Sequence, residues 1–167
     1  DDAAHHGIPN GGLSEAIGDM ISMYLTKQPV IGRHFLKGRS PDYIRDGENT
    51  HKYDPSEEVH DQGQVGMGFA WKLRLALIAS LGEVEGDAVA RALVLPAILA
   101  SNKDIPAFIN SVLLRDVGAD GTAKHFEAIR SAAAAHGIVL KQPKPGAEGP
   151  AGGIVSGGLL ARLGFGR

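Results

Sequence analysis

Apolar residues recur at helical spacing in five stretches of the chain, and stretches rich in glycine, proline and polar residues separate them. The clearest stripe is in the second stretch, formed by Val65, Phe69, Leu73, Ala76 and Leu77. The predicted helices cover about residues 13–27, 64–81, 86–100, 104–116 and 122–136. No stretch shows the alternation typical of a half-buried strand, so the pattern predicts an all-α fold.

Capping residues and helix breakers mark the ends of these helices. Asp104 is the expected N-cap of the fourth helix, and either Asp120 or Thr122 is that of the fifth. Gly82 ends the second helix, and Pro96 predicts a kink or a break inside the third.

The chain divides into a helical domain, residues 1–141, and a tail, residues 142–167, which is rich in glycine and proline and is expected to be disordered. Within the domain, residues 28–61 contain many turn formers and no sustained period, which predicts a long irregular loop after the first helix. Loops of this length inside compact domains usually carry function. In the second helix, Gly66, Gly68 and Ala70 would allow another helix to approach closely, so this helix is predicted to be central.

Composition excludes several classes of function. The formal net charge is -2, from 17 basic and 19 acidic side chains, so neither a nucleic acid nor an anionic membrane is an expected partner. Cysteine is absent, which excludes disulfides, thiolate metal sites and a thiol nucleophile. No apolar run is long enough to span a membrane. The first residue is not Met and no signal peptide is recognisable, so we expect the chain to be part of a longer protein.

Two acids, Glu15 and Asp19, stand four residues apart on one face of the first helix. Like charges at this spacing slightly destabilise a helix unless a positive group lies beside them. One interpretation is a solvated face near a helix N-terminus, where the macrodipole favours acids. The other is that Glu15 binds a metal ion and Asp19 accepts a hydrogen bond that orients another ligand.

Three segments resemble the thermolysin-like zinc metallopeptidases, the gluzincins, in the same order along the chain. The segment "GGLSEAIGDM" resembles the one that carries the third zinc ligand in that family. "YIRDGENTHKYD" resembles a substrate-side stretch, and "EEVHDQGQVGMGFAWKL" resembles a Val-His segment that leads into a long central helix. The resemblance covers roughly residues 1–137 and implies the fold of the family's C-terminal helical domain.

The resemblance also implies roles for five residues. Glu15 would be a ligand of one Zn²⁺ ion and Asp19 the aspartate that supports the site. His60 would donate a hydrogen bond to the oxyanion, Arg45 would hold a substrate carbonyl, and Ile44 would line an apolar pocket. The implied activity is that of an endopeptidase that uses zinc-activated water and cleaves before a hydrophobic residue.

The chain departs from the family pattern at several points. The H-E-x-x-H motif, which supplies two zinc ligands and the catalytic base, does not occur in the sequence. We therefore expect the remaining ligands to lie in a missing N-terminal half, and we expect this chain alone to be inactive. Residues 24–40 contain no acid, so a calcium site after the ligand helix is not expected. The adjacent His5 and His6 are expected to lie on a solvated loop. They are not expected to replace the motif.

A further departure concerns the partner of His60. The family places an aspartate five residues before the equivalent histidine, where this chain has Pro55. Asp54, Glu57 and Glu58 remain as candidates for the acid that orients His60.

Two other functions remain open from the sequence alone. The chain could be a non-catalytic helical interaction module in which the two acids are surface residues, or an inactive relative of the peptidases. The family also implies a peptide or protein substrate and a secreted or periplasmic location.

Overall fold

The computed structural model describes residues 10–144. These residues form five helices and one two-stranded sheet. The elements are α1 (Gly11–Thr26), β1 (Val30–Ile31), β2 (Arg45–Asp46), α2 (Val59–Leu81), α3 (Glu83–Ile98), α4 (Ile105–Arg115) and α5 (Phe126–Ala134). The all-α prediction is confirmed at the level of class. The predictions for His5 and His6 and for most of the C-terminal tail lie outside the described residues.

Helix α2 is the centre of the molecule and packs against the other four helices. Its side chains Val65, Phe69, Leu73 and Leu77 have no solvent exposure, as their helical spacing predicts. The ring of Phe69 packs edge-on against Phe108 of α4, with ring centroids 6.2 Å apart. Burial of apolar side chains from α1, α3, α4 and α5 around α2 therefore forms one continuous core.

The ends of two helices follow the expected capping chemistry. The side chain of Asp104 accepts a hydrogen bond of 2.7 Å from the backbone N–H of Ala107 at the start of α4. Asn10 caps α1 in the same way, accepting from the N–H of Leu13 at 2.8 Å. Gly82 separates α2 from α3 with a φ of 87°, a conformation that L side chains rarely adopt.

Three features differ from the sequence predictions. Helix α2 begins at Val59, so His60 lies in its first turn and not before it. Helix α5 begins only at Phe126, because the carboxylate of Asp116 binds the backbone N–H and the Nδ1 of His125 and holds this residue outside the helix. Asp120 accepts from the N–H of Thr122 in a local turn, so neither residue caps α5.

A further difference is a short antiparallel sheet within the loop between α1 and α2. Val30 pairs with Asp46, and Ile31 pairs with Arg45. Each strand has 2 residues, too few to show an alternating pattern in the sequence. The sheet fixes the position of Arg45 relative to α1.

Candidate functional site

The crossing of α1 and α2 positions Glu15 beside the first turn of α2. A Cβ atom on Gly63 would lie 2.9 Å from Cβ of Glu15, and one on Gly66 would lie 2.7 Å from Cβ of Ala16. Both separations are shorter than those between real Cβ atoms and their neighbours, so the helices reach this distance because α2 has no side chains there. The close approach brings Glu15 next to His60.

Asp19 is buried in this crossing and is paired with Arg45. The carboxylate accepts from Nε of Arg45 at 2.5 Å and from Nη2 at 2.8 Å, and the Asp19 side chain is only 4% exposed. A buried carboxylate is stable when a charged donor satisfies both oxygens. The hydrogen bond that Arg45 donates to Asp19 raises the pKa of Arg45 further above its ordinary value. Arg45 is therefore fixed in place by α1.

Glu15 lies between Arg45 and His60 without a close contact to either. Its Oε2 is 3.7 Å from Nη2 of Arg45 and 3.5 Å from Nε2 of His60. Arg45 is thus the positive group that offsets the repulsion between Glu15 and Asp19. In the described part of the chain, the Glu15 carboxylate accepts no hydrogen bond, so its oxygens are available to a ligand from outside.

Glu58 orients His60. Its Oε1 lies 2.6 Å from Nδ1 of His60, and its Oε2 accepts from the backbone N–H of the same residue at 2.9 Å. Because a carboxylate only accepts, Nδ1 of His60 donates, and Nε2 is left facing Glu15. The hydrogen bond to Glu58 raises the pKa of His60 and lowers that of Glu58.

The other two candidate partners of His60 are engaged elsewhere. Glu57 lies 2.6 Å from Nε2 of His51, and Asp54 accepts from the N–H and the hydroxyl of Ser56. The structure therefore selects Glu58 among the three acids that the sequence left open.

Ile44 lies directly before β2 and next to Arg45. Its side chain is 43% exposed and packs across Gly32, where a Cβ would lie 2.6 Å from Cγ1 of Ile44. The backbone N–H of Ile44 donates to the carbonyl of Ile31 at 2.9 Å. Ile44 therefore presents apolar surface beside Arg45, at the edge of the group formed by Glu15, Asp19, Arg45 and His60, which we name the acid–base cluster.

Sequence reasoning missed one contribution to this cluster and one buried histidine outside it. Because Gly63 has no side chain, Glu15 can pack directly against α2. The small residues Gly66, Gly68 and Ala70 had indicated a close approach of another helix, but not at Gly63. His136 lies outside the cluster and is fully buried, and its Nδ1 donates to the carbonyl of His51 at 2.7 Å. This bond ties the C-terminal end of the domain to the loop before α2.

The acid–base cluster offers a zinc ion one carboxylate ligand. Within residues 10–144, no group of three or more His, Asp or Glu side chains is arranged to hold a metal ion. Glu15 itself fits a ligand role, because its carboxylate is 36% exposed and lacks a hydrogen-bond donor in this part of the chain. A complete tetrahedral site would require ligands from outside these residues.

Comparisons with protein-family models, curated proteins and solved structures found no match to the chain. Among the described helices, none combines the length and the apolar character needed to cross a membrane.

A cavity of about 930 Å³ lies between α2 and the start of α5, and no residue of the acid–base cluster lines it.

Proposed function

We propose that this domain forms one wall of the catalytic cleft of a zinc endopeptidase of thermolysin-like type. The observation that supports this most strongly is the convergence of Glu15, Asp19, Arg45 and His60. The resemblance had assigned site roles to these four residues from separate segments of the sequence. In the fold they form one connected cluster at the crossing of α1 and α2.

In this proposal Glu15 provides one zinc ligand, and two further ligands come from a segment outside these residues. The metal ion, when bound, would polarise the scissile carbonyl and activate water for attack on it. Glu15 suits the ligand role because Arg45 and His60 balance its charge from 3.7 Å and 3.5 Å without occupying its oxygens.

His60 and Arg45 act on the substrate. In the protonated form that Glu58 favours by raising the pKa of His60, Nδ1 donates to Glu58 and Nε2 donates a hydrogen bond to the oxyanion that forms at the scissile carbonyl. Arg45 uses Nε and Nη2 to bind Asp19, which leaves Nη1 for a backbone carbonyl of the substrate. Ile44 contributes an apolar contact that favours cleavage before a hydrophobic residue.

The first test is the coding sequence upstream of Asp1. An H-E-x-x-H motif within a short distance would complete the metal site and support the proposal. A segment without metal ligands would overturn it. The second test uses the isolated chain and isothermal titration with Zn²⁺. We expect binding weaker than micromolar, because one carboxylate does not hold the ion, and affinity of about 1 μM or tighter would contradict the proposed site.

The third test uses the protein encoded by the complete reading frame. Glu15→Gln is expected to lose both bound zinc, measured by mass spectrometry, and cleavage of a quenched fluorescent peptide. His60→Gln is expected to keep zinc and to lose about 100-fold or more in kcat, the usual effect of removing an oxyanion donor. Glu127→Gln, on the exposed surface of α5, is the control and should retain both properties. Full zinc content in the Glu15 variant would refute the role of Glu15.

A further inference from the structure

A group of exposed basic side chains lies on the loop between β1 and β2, residues 32–44, which we call the β1–β2 loop. Arg33, Lys37 and Arg39 are all exposed, and within residues 10–144 none of them forms an ion pair with an acid. The one acid in the loop, Asp42, is paired with His34 at 2.7 Å. The loop therefore carries an uncompensated positive charge, although the whole chain has a net charge of -2.

Hydrogen bonds inside the β1–β2 loop define its shape. The backbone N–H of His34 donates to the carbonyl of Asp42 at 2.7 Å and closes the base of the loop. Nearer the tip, the N–H of Arg39 donates to the carbonyl of Leu36 at 3.0 Å. The basic side chains thus project from an ordered turn, together with Phe35, which is 73% exposed.

The loop is continuous with the proposed substrate-binding residues. Ile31 pairs with Arg45 across the sheet, and Gly32 contacts the side chain of Ile44. The chain turns directly after β1, with positive φ at Gly32 and His34, and Arg33 is two residues from Ile31, so their Cα atoms are at most about 7 Å apart. An extended peptide advances about 3.3 Å per residue, so a side chain about two positions from the residue held at Arg45 lies within reach of Arg33.

We propose that the β1–β2 loop selects substrates with acidic residues beyond the hydrophobic residue that contacts Ile44. This inference rests on the proposed peptidase function and names its substrate class. A peptide is favoured over a nucleic acid or a lipid surface because the cations are confined to one loop that leads directly into Ile44 and Arg45. Acidic side chains are the complementary partners, and Phe35 adds apolar contact area beside them.

The test measures peptide binding by the full chain and needs no metal ion. Because the chain has no cysteine, Ser40→Cys creates a single site for an environment-sensitive dye at an exposed loop position outside the proposed contact. Val84→Cys, on α3 and 84% exposed in the wild-type chain, is the matched labelling control. Three peptides of equal length are titrated, with a hydrophobic residue followed by glutamates, glutamines or lysines.

We expect the glutamate peptide to bind about tenfold more tightly than the glutamine peptide, with a dye response at position 40 and none at position 84. The preference should weaken between about 50 mM and about 500 mM salt, as expected for exposed charges. The triple variant Arg33→Gln, Lys37→Gln, Arg39→Gln should abolish it. Lys103→Gln, Lys124→Gln, Lys141→Gln removes the same charge from other exposed positions and should retain it.

Equal binding of the three peptides, or a preference that survives the loop triple variant, would overturn the inference. Binding to anionic vesicles without any preference among peptides would also overturn it and would favour a lipid surface. The two proposals fail separately. If the preference for glutamate is not found, the proposed zinc ligand Glu15 is unaffected. If the preference depends on the loop but the Glu15→Gln variant retains its zinc, only the proposed metal site is refuted.

Discussion

Replacing Gly68 in the middle of α2 with alanine should destabilise the domain, although alanine is the better helix former. A Cβ at this position would lie 2.7 Å from Nε2 of His136 and closer still to Cε1. The histidine cannot easily move, because its Nδ1 donates to the carbonyl of His51 at 2.7 Å and its own carbonyl accepts from the N–H of Tyr53 at 3.0 Å. The new methyl group therefore displaces a ring that is held by one hydrogen bond of its own and by a second at the backbone of the same residue.

Two costs and one gain determine the expected change in the free energy of unfolding. Overpacking a buried site costs about 1–3 kcal/mol, and weakening the hydrogen bond of the ring adds about 1 kcal/mol. Replacing a helical glycine returns about 1 kcal/mol in helix propensity. We expect Gly68→Ala to lower the free energy of unfolding by about 2 kcal/mol, which corresponds to a fall of about 4–8 °C in Tm.

Urea denaturation followed by circular dichroism measures this change, and Gly18→Ala in α1 is the matched control. No atom lies within 4 Å of the Cβ that would be added at Gly18, so this variant should be about 0.5–1 kcal/mol more stable than the wild type. In a His136→Ala background, Gly68→Ala should lose most of its cost, because the ring that it contacts is gone. Equal stability of the two single glycine variants would refute the packing argument.

Three further outcomes concern stability. The carboxylate of Asp87 forms ion pairs with the buried Arg74 at 2.6 Å and with Arg91 at 2.8 Å. Asp87→Asn removes both pairs and should lower the free energy of unfolding, measured by urea denaturation, by about 3 kcal/mol. Burial lowers the pKa of His136 in the folded protein, so below about pH 6.5 the histidine takes up a proton more readily in the unfolded chain. The free energy of unfolding should therefore decrease as the pH falls below about 6.5. Urea midpoints measured from about pH 7.5 down to about pH 5.5 would show this decline. Asp104→Ala should cost about 1 kcal/mol in the same assay through loss of the α4 cap.

The outcomes for Asp87 and His136 each have a control. Glu127→Gln removes an acid from an exposed pair with Arg130, so it should change stability far less than Asp87→Asn. His136→Asn should reduce the pH dependence between neutral and mildly acidic pH, and an unchanged slope would contradict the assignment to His136. Burial alone would raise the pKa of Asp87, but the ion pairs with Arg74 and Arg91 outweigh this effect and lower the pKa. The contribution of Asp87 to stability should therefore be lost only at more acidic pH, below about pH 4.

The sequence determined the helices and the core, because both depend on patterns that repeat over many residues. The stripe that includes Phe69 and Leu73 predicted the buried face of α2, and the cap at Asp104 predicted the start of α4. The boundaries of α5 were less predictable. A carboxylate from the end of α4, Asp116, binds the residue that would otherwise begin the next helix, and no local pattern encodes that contact.

Only the tertiary structure decided how the residues of the candidate site meet. The sequence indicated that Glu15 and Asp19 share a face of α1, since helical spacing fixes that relation. It did not reveal that Arg45 reaches Asp19 from a strand of two residues, or that Glu58 rather than its neighbours holds His60. The Arg45–Asp19 pair joins residues that are 26 positions apart along the chain, whereas Glu58 and His60 are 2 positions apart. The approach of His60 to Glu15 depends on the close crossing of α1 and α2, which the packing of the whole domain sets.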